Sequence, residues 1–166
     1  MRENVVLINP AVNPASQSKI VNQLINKIFP TSIGILAGYI MDRGVVDSVR
    51  IIDEQIEFIE DKDIEKIVLS LESPRIIGIS VLTINSKRAY EFAEKIKIVD
   101  SNTLVVFGGI HPTVLTEEAL NHKDIDLVIR GEGEETFKEL VELVLDEKSY
   151  KQINGISFRE NGNIHH

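Results

Sequence analysis

The chain has 166 residues, 43% hydrophobic and 27% charged, enough for one domain with a real core and too few for two of comfortable size. Its net charge of -8, with no dense Lys/Arg cluster, argues against a surface that tracks a phosphate backbone. It contains no cysteine, which excludes disulfides, thiolate-held zinc and cysteine-ligated iron–sulfur clusters within this chain, so any redox chemistry must be borrowed.

The apolar run after Met1-Arg2-Glu3-Asn4 is too short for a signal peptide, and no stretch approaches the about 20 apolar residues of a membrane span. The sequence reads as cytoplasmic, with neither a nucleic-acid nor a membrane partner. Residues 5–8, Val-Val-Leu-Ile, form a short apolar run rich in branched side chains, the pattern of a strand buried on both faces. It stops at Asn9-Pro10. The connection that follows, residues 9–32, is long for a strand-to-helix loop and carries Pro10, Pro14 and Pro30, with a short helix expected over residues 18–28. It is either a surface excursion packed by its own apolar residues or a cover for a ligand or partner.

A helix face follows in Ile33, Leu36, Ala37, Ile40 and Met41. Residues 49–53 form a second strand, and the segment 61–73, with Ile64, Ile67, Val68 and Leu71 on one face, forms a helix ahead of Pro74. The third strand is expected at 76–82. A helix with Ala89, Phe92, Ala93, Ile96 and Val99 on one face leads to the fourth strand at 103–107. The fifth spans 125–129, and a helix marked by Phe137, Leu140, Val141, Val144 and Leu145 closes a domain expected to cover residues 1–150.

Strands alternating with helices through short connections imply parallel pairing by right-handed crossovers. The expectation is an α/β fold, a doubly wound five-stranded parallel sheet in the flavodoxin-like order 2-1-3-4-5. In such sheets ligands bind beyond the carboxyl ends of the strands, at the switch point between strands one and three. After Tyr150, residues 153–159 read as a strand, and Asn161-Gly162 is a strong hairpin signal. A second strand is expected, and 151–166 are expected to be the cut-off start of a connection to a further domain. His165 and His166 receive no chemical role.

Candidate site residues lie at the strand ends. Ser80 and Thr83 place two hydroxyls after strand three; Thr83 serves equally well as a helix cap or as a ligand contact, while Ser80, inside the apolar run, suits a ligand better. Gly108-Gly109 permits positive φ and removes Cβ atoms, so that a bulky group can slide against the backbone; a tight turn without a ligand is the alternative. His111, before Pro112, is placed on a solvent-edge loop. Gly131-Glu132-Gly133-Glu134 opens the last helix. Carboxylates near the positive end of a helix dipole account for Glu134 and Glu135, and leave Gly131 and Gly133 unexplained.

Other chemistries lack their parts. No Gly-x-x-x-x-Gly-Lys-Ser/Thr loop is present, and residues 131–134 are not a dinucleotide fingerprint, which follows the first strand and needs a third glycine. A phospho-acceptor domain of this strand order needs acidic residues after strands one and three and a lysine after strand five; the chain has Asn9-Pro10, Ser80 and Arg130-Gly131. A flavin phosphate loop has only the weak candidate at residues 14–18, so a stand-alone binding or sensing module for a nucleotide, flavin or other small ligand stands as the alternative.

Ser80-Val81-Leu82 and Gly108-Gly109 resemble the Ser-x-Leu and Gly-Gly of the cobalamin-binding domain. More specifically, Gly108-Gly109-Ile110-His111-Pro112-Thr113, Glu117-Glu118 and Arg130-Gly131-Glu132-Gly133-Glu134 resemble the amino-terminal domain of cobalamin-dependent radical S-adenosylmethionine enzymes. Two departures stand out. The Asp-x-His-x-x-Gly that often supplies a cobalt ligand is missing after strand one, as is common in the radical subgroup. The Cys-x-x-x-Cys-x-x-Cys that holds a 4Fe-4S cluster is also missing, and the resemblance implies that it lies in a carboxy-terminal barrel domain of a longer parent chain, where S-adenosylmethionine binds.

The resemblance implies cobalamin as the cofactor. Ser80 and Thr83 would meet its nucleotide tail, Leu82 would also contact the cofactor, Gly108 and Gly109 would allow the tail's close passage, and Gly131, Glu132, Gly133, Glu134 and His111 would line the corrin rim. The turn from Asn9 and Pro10 to Pro14 would lie under the cobalt. The parent would be a methyltransferase or related enzyme, and no residue here is expected to act as a general acid, base or nucleophile. Gly109→Val is expected to weaken binding by a steric clash while leaving the fold intact.

Overall fold

The structure, a computed structural model, describes residues 3–12 and 30–166. Its strands are β1 (Val5–Asn9), β2 (Arg50–Asp53), β3 (Ile76–Ser80), β4 (Leu104–Gly108), β5 (Leu127–Ile129), β6 (Ile156–Glu160) and β7 (Asn163–His165). They form one sheet in the order β2-β1-β3-β4-β5-β6-β7. The first five pair in parallel, in the expected order, and β6 and β7 add antiparallel to that edge. Among the described residues the expected five-stranded sheet thus has seven strands, because the hairpin turned by Asn161 (φ 52°) and Gly162 (φ 82°) folds back onto β5. Within it, His166 Nδ1 lies 3.0 Å from Ser157 Oγ and the His165 ring stacks on Phe158.

The helices are α1 (Thr31–Asp42), α2 (Asp61–Ser70), α3 (Ser86–Val99), α4 (Ile110–Val114), α5 (Thr116–Asn121) and α6 (Glu134–Leu145), with a 3-10 turn at Thr83–Asn85. The period-2 alternation of the strands sorts their side chains into two cores. Val6, Ile8, Ile77, Ile79, Val105 and Phe107 face α2, α3 and α5, meeting Ile64, Phe92 and Leu120. Val5, Leu7, Ile76, Val106, Leu127 and Ile129 face α1 and α6, meeting Ile33, Ile40, Phe137 and Leu140. The sheet is covered on both faces, as its continuous apolar strands require.

Sequence periodicity found α1, α2, α3 and α6 but not α4 and α5, which span five and six residues, too short for a repeating face. The third strand stops at Ser80 rather than Leu82. Val81 still donates to the Gly108 carbonyl at 2.8 Å, but Leu82 turns into the 3-10 turn, where its N–H meets Asn85 Oδ1 at 2.8 Å. The helix expected over residues 18–28 lies outside the described residues. Among the described residues, no helix is long and apolar enough to cross a membrane.

Candidate functional site

At the carboxyl edge of the sheet, on the α1/α6 face, a cavity of about 320 Å³ opens between the two helices. Its origin lies in the taper of the central strands. On this face β3 presents Ile76, Gly78 and Ser80, and β4 presents Leu104, Val106 and Gly108, so side-chain volume falls toward the carboxyl ends. The floor reaches Leu7, Gly78 and Val106, the walls are Ser32, Ile33 and Leu36 of α1 with Phe137 of α6, and the rim includes Ser80, Leu82, Gly108, Gly109, Ile110 and residues 131–134. The helices are also tied to each other: the Tyr39 hydroxyl donates to Glu135 at 2.5 Å, which lowers the Glu135 carboxyl and raises the Tyr39 phenol from their ordinary pKa values.

Eight of the sequence-predicted residues line this cavity: Ser80, Leu82, Gly108, Gly109, Gly131, Glu132, Gly133 and Glu134. Asn9, Pro10, Thr83 and His111 do not. His111 is not on a solvent-edge loop: it sits in α4, 3% exposed, under the other face of the sheet. Its Nδ1 lies 3.3 Å from Thr83 Oγ1 and its Nε2 3.3 Å from the Tyr90 hydroxyl, so the ring turns inward because both nitrogens find partners there. Tyr90 in turn stacks on His122 and reaches Glu118 at 3.4 Å; burial first, and then the Glu118 charge, push its phenol up to about 12. Thr83 thus meets His111, and α3 carries no side-chain cap at its start.

The glycines divide by role. Gly109 has φ +101°, and a Cβ there would lie 2.8 Å from the Val81 carbonyl oxygen, so this residue is required by the protein's own backbone. The expectation that Gly109→Val spares the fold is corrected accordingly. Gly108 has no protein atom within 4 Å of a built Cβ, and Gly131, at φ +71°, supplies a left-handed turn.

Thr113, quoted in the motif but given no role, joins the two glycine segments. Its Oγ1 donates to the Gly109 carbonyl at 2.8 Å and accepts from the Gly131 N–H at 3.1 Å. Gly78 was missed as well; a glycine inside an apolar strand was its available signal. Asn9 and Pro10 lie at the end of β1, where Asn9 Nδ2 donates to Asp53 Oδ1 at 2.9 Å.

A doubly wound domain with a small-residue notch at its carboxyl edge, framed by glycine turns, belongs to the class that receives a nucleotide-like group at the end of the sheet. The B12 binding domain model matches residues 18–141, and the chain belongs to that family. It is similar to an uncharacterised methyltransferase of Pyrococcus horikoshii, PH0819, at 37% identity over 136 residues, covering 81% of this chain and 29% of that protein. It is also similar to the anaerobic magnesium-protoporphyrin IX monomethyl ester cyclase of Rubrivivax gelatinosus, at 30% identity, covering 78% of this chain and 24% of that one.

Among solved structures, the cobalamin-dependent S-adenosylmethionine radical enzyme OxsB, with aqua-cobalamin and S-adenosylmethionine bound, superposes with a TM-score of 0.76 at 26% identity, over 100% of this chain and 22% of that one. The radical S-adenosylmethionine methyltransferase TsrM of Kitasatospora setae shares the fold, with a TM-score of 0.78 at 16% identity over 99% of this chain and 29% of that one. The chain spans less than a third of the length of these relatives. Cobalamin is the cofactor of the domain, and the notch over Gly78 and Ser80, at about 320 Å³, falls within the size range of small-ligand pockets.

Proposed function

We propose that this domain holds cobalamin with its nucleotide tail in the α1/α6 cavity and its corrin across the carboxyl edge, as the cofactor-carrying part of a radical S-adenosylmethionine enzyme. The observation that carries this reading is the coincidence of the cavity with both glycine segments and Ser80. Gly78 and Gly108 make room for the tail, Ser80 offers it a hydroxyl, Leu82 and Ile110 give apolar contact at the mouth, and residues 131–133 border the ring. His111 acts behind this surface, bonded to Thr83, which is itself exposed.

When bound, cobalamin supplies a cobalt–carbon bond whose methyl group can pass to a substrate radical. The residues described here bind and orient; the chemistry belongs to a barrel domain of the parent chain, which would carry the 4Fe-4S cluster and S-adenosylmethionine. Exposed Leu82, Ile84, Ile110 and Val114 at the carboxyl edge give that domain an apolar surface to close against. Methyl transfer is the favoured reaction, in keeping with the methyltransferase PH0819.

The test is titration of the domain with hydroxocobalamin, followed by absorbance and gel filtration. A changed corrin spectrum and co-elution are expected. An unchanged spectrum with no retention sinks the assignment.

A further inference from the structure

Glu54 stands one residue beyond β2, with its carboxylate fully buried. Arg88, at 5% side-chain exposure, grips it through Nε at 3.0 Å and Nη2 at 2.7 Å, lying over the rings of Phe58 and Phe92. Stability alone is a weak reason for such a pair, since well-packed apolar side chains of the same volume often serve as well or better. An ion pair has one further capacity: its spare lone pairs and protons can fix backbone. Glu54 Oε2 accepts the Ala11 N–H at 3.1 Å, Oε1 accepts the Ile59 N–H at 3.1 Å, and Arg88 Nη2 donates to the Ile59 carbonyl at 2.7 Å.

Asn85, three residues before Arg88, extends the arrangement. It donates from Nδ2 to the Pro10 carbonyl at 3.2 Å while its Oδ1 holds the Leu82 N–H. The Asn9 carbonyl accepts from the Glu54 N–H at 3.0 Å. Residues 9–11 are therefore tied at Asn9 O, Pro10 O and Ala11 N by groups from the β2 loop and the 3-10 turn before α3. These residues leave β1 between β2 and β3, at the switch point where an open parallel sheet receives its ligand.

We propose that Glu54, Arg88 and Asn85 are positioning residues, which hold the backbone of residues 9–11 in one conformation as a preformed floor for the cobalamin face. The proposal rests on the cobalamin reading above. It explains why a charged pair is retained in a site that apolar side chains would fill, and why loops after three different strands share it.

The experiment compares the 166-residue domain with the double variant Glu54→Leu/Arg88→Met, which removes the side-chain tie to Ala11 and both ties to Ile59 without leaving a buried charge unpaired. Circular dichroism and the melting temperature are expected to stay close to the parent's. Amide exchange at Ala11 should accelerate at least about tenfold as its acceptor disappears. Hydroxocobalamin affinity should fall about tenfold, the size expected for one lost hydrogen bond from residues 9–11 to a charged acceptor, and the bound corrin spectrum should shift.

A folded double variant with parent-like affinity and spectrum overturns the proposal. Should the double variant not fold, Asn85→Asp decides: it keeps the acceptor for Leu82 but loses the donor to Pro10, and parent-like binding by it overturns the proposal equally. Failure of the parent domain itself to bind sinks the cobalamin reading, and the positioning role with it.

Discussion

Leu7 and Gly78 face each other in register across β1 and β3, and a Cβ built on Gly78 would lie 2.7 Å from Leu7 Cδ2. The same Cβ would come within 3.6 Å of the Phe137 ring, so one missing methyl group separates a filled core from a cavity that reaches the middle of the sheet.

Gly78→Val should therefore fill the cavity floor. Overpacking of this kind costs about 1–3 kcal/mol, which leaves a folded domain, because Leu7 is a flexible side chain with room to turn. Hydroxocobalamin affinity should drop more than about tenfold. Titration beside circular dichroism checks this, and unaltered affinity in a folded variant means that the tail does not reach Gly78.

Gly108 and Gly109 are adjacent but should respond in opposite ways. Gly109→Ala forces a left-handed residue against the Val81 carbonyl, which costs about 2 kcal/mol and, for a chain of this length, lowers Tm by about 4–8 °C. Gly108→Ala meets no protein atom within 4 Å and should leave Tm unmoved while weakening cobalamin binding. Thermal melts and titrations of the two variants separate a backbone requirement from a ligand requirement.

Thr113→Val keeps the shape of the side chain but removes the hydroxyl that bridges Gly109 and Gly131. A loss of about 1 kcal/mol is expected, with faster amide exchange at Gly131 as the local signature. Thr113→Ser should restore both, and equal exchange in all three proteins would show that the two glycine segments are held independently.

The strands were legible because burial on both faces writes them as unbroken runs of Val, Ile and Leu, and the long helices because each buries one stripe. The rim glycines were legible as breaks after such runs. Gly78 was not assigned, because a single glycine in a strand does not say which helix, if any, stands over it. Neither was the Glu54–Arg88 pair, whose members lie 34 positions apart and read as ordinary surface charges until the fold closes them in. His111 was misplaced for a related reason: its partners Thr83 and Tyr90 come from other elements, and without them a histidine beside a proline looks like loop.

Tyr90 gives the polar cluster beneath β4 a pH signature. Burial and the Glu118 carboxylate raise its phenol from 10.0 to about 12, so the unfolded chain loses this proton first as pH rises. The stability that the neutral phenol contributes is thus fully present below pH 10 and drains away as pH climbs through about 12. Tyr39 and Tyr150 are also shifted upward, so the useful quantity is the difference between the parent and Tyr90→Phe. Phenolate absorbance in that difference should titrate near 12, and the parent should lose melting temperature more steeply than the variant between pH 10 and about 12. A difference spectrum that titrates near 10 would mean that Tyr90 is open to water and does not close the pocket around His111.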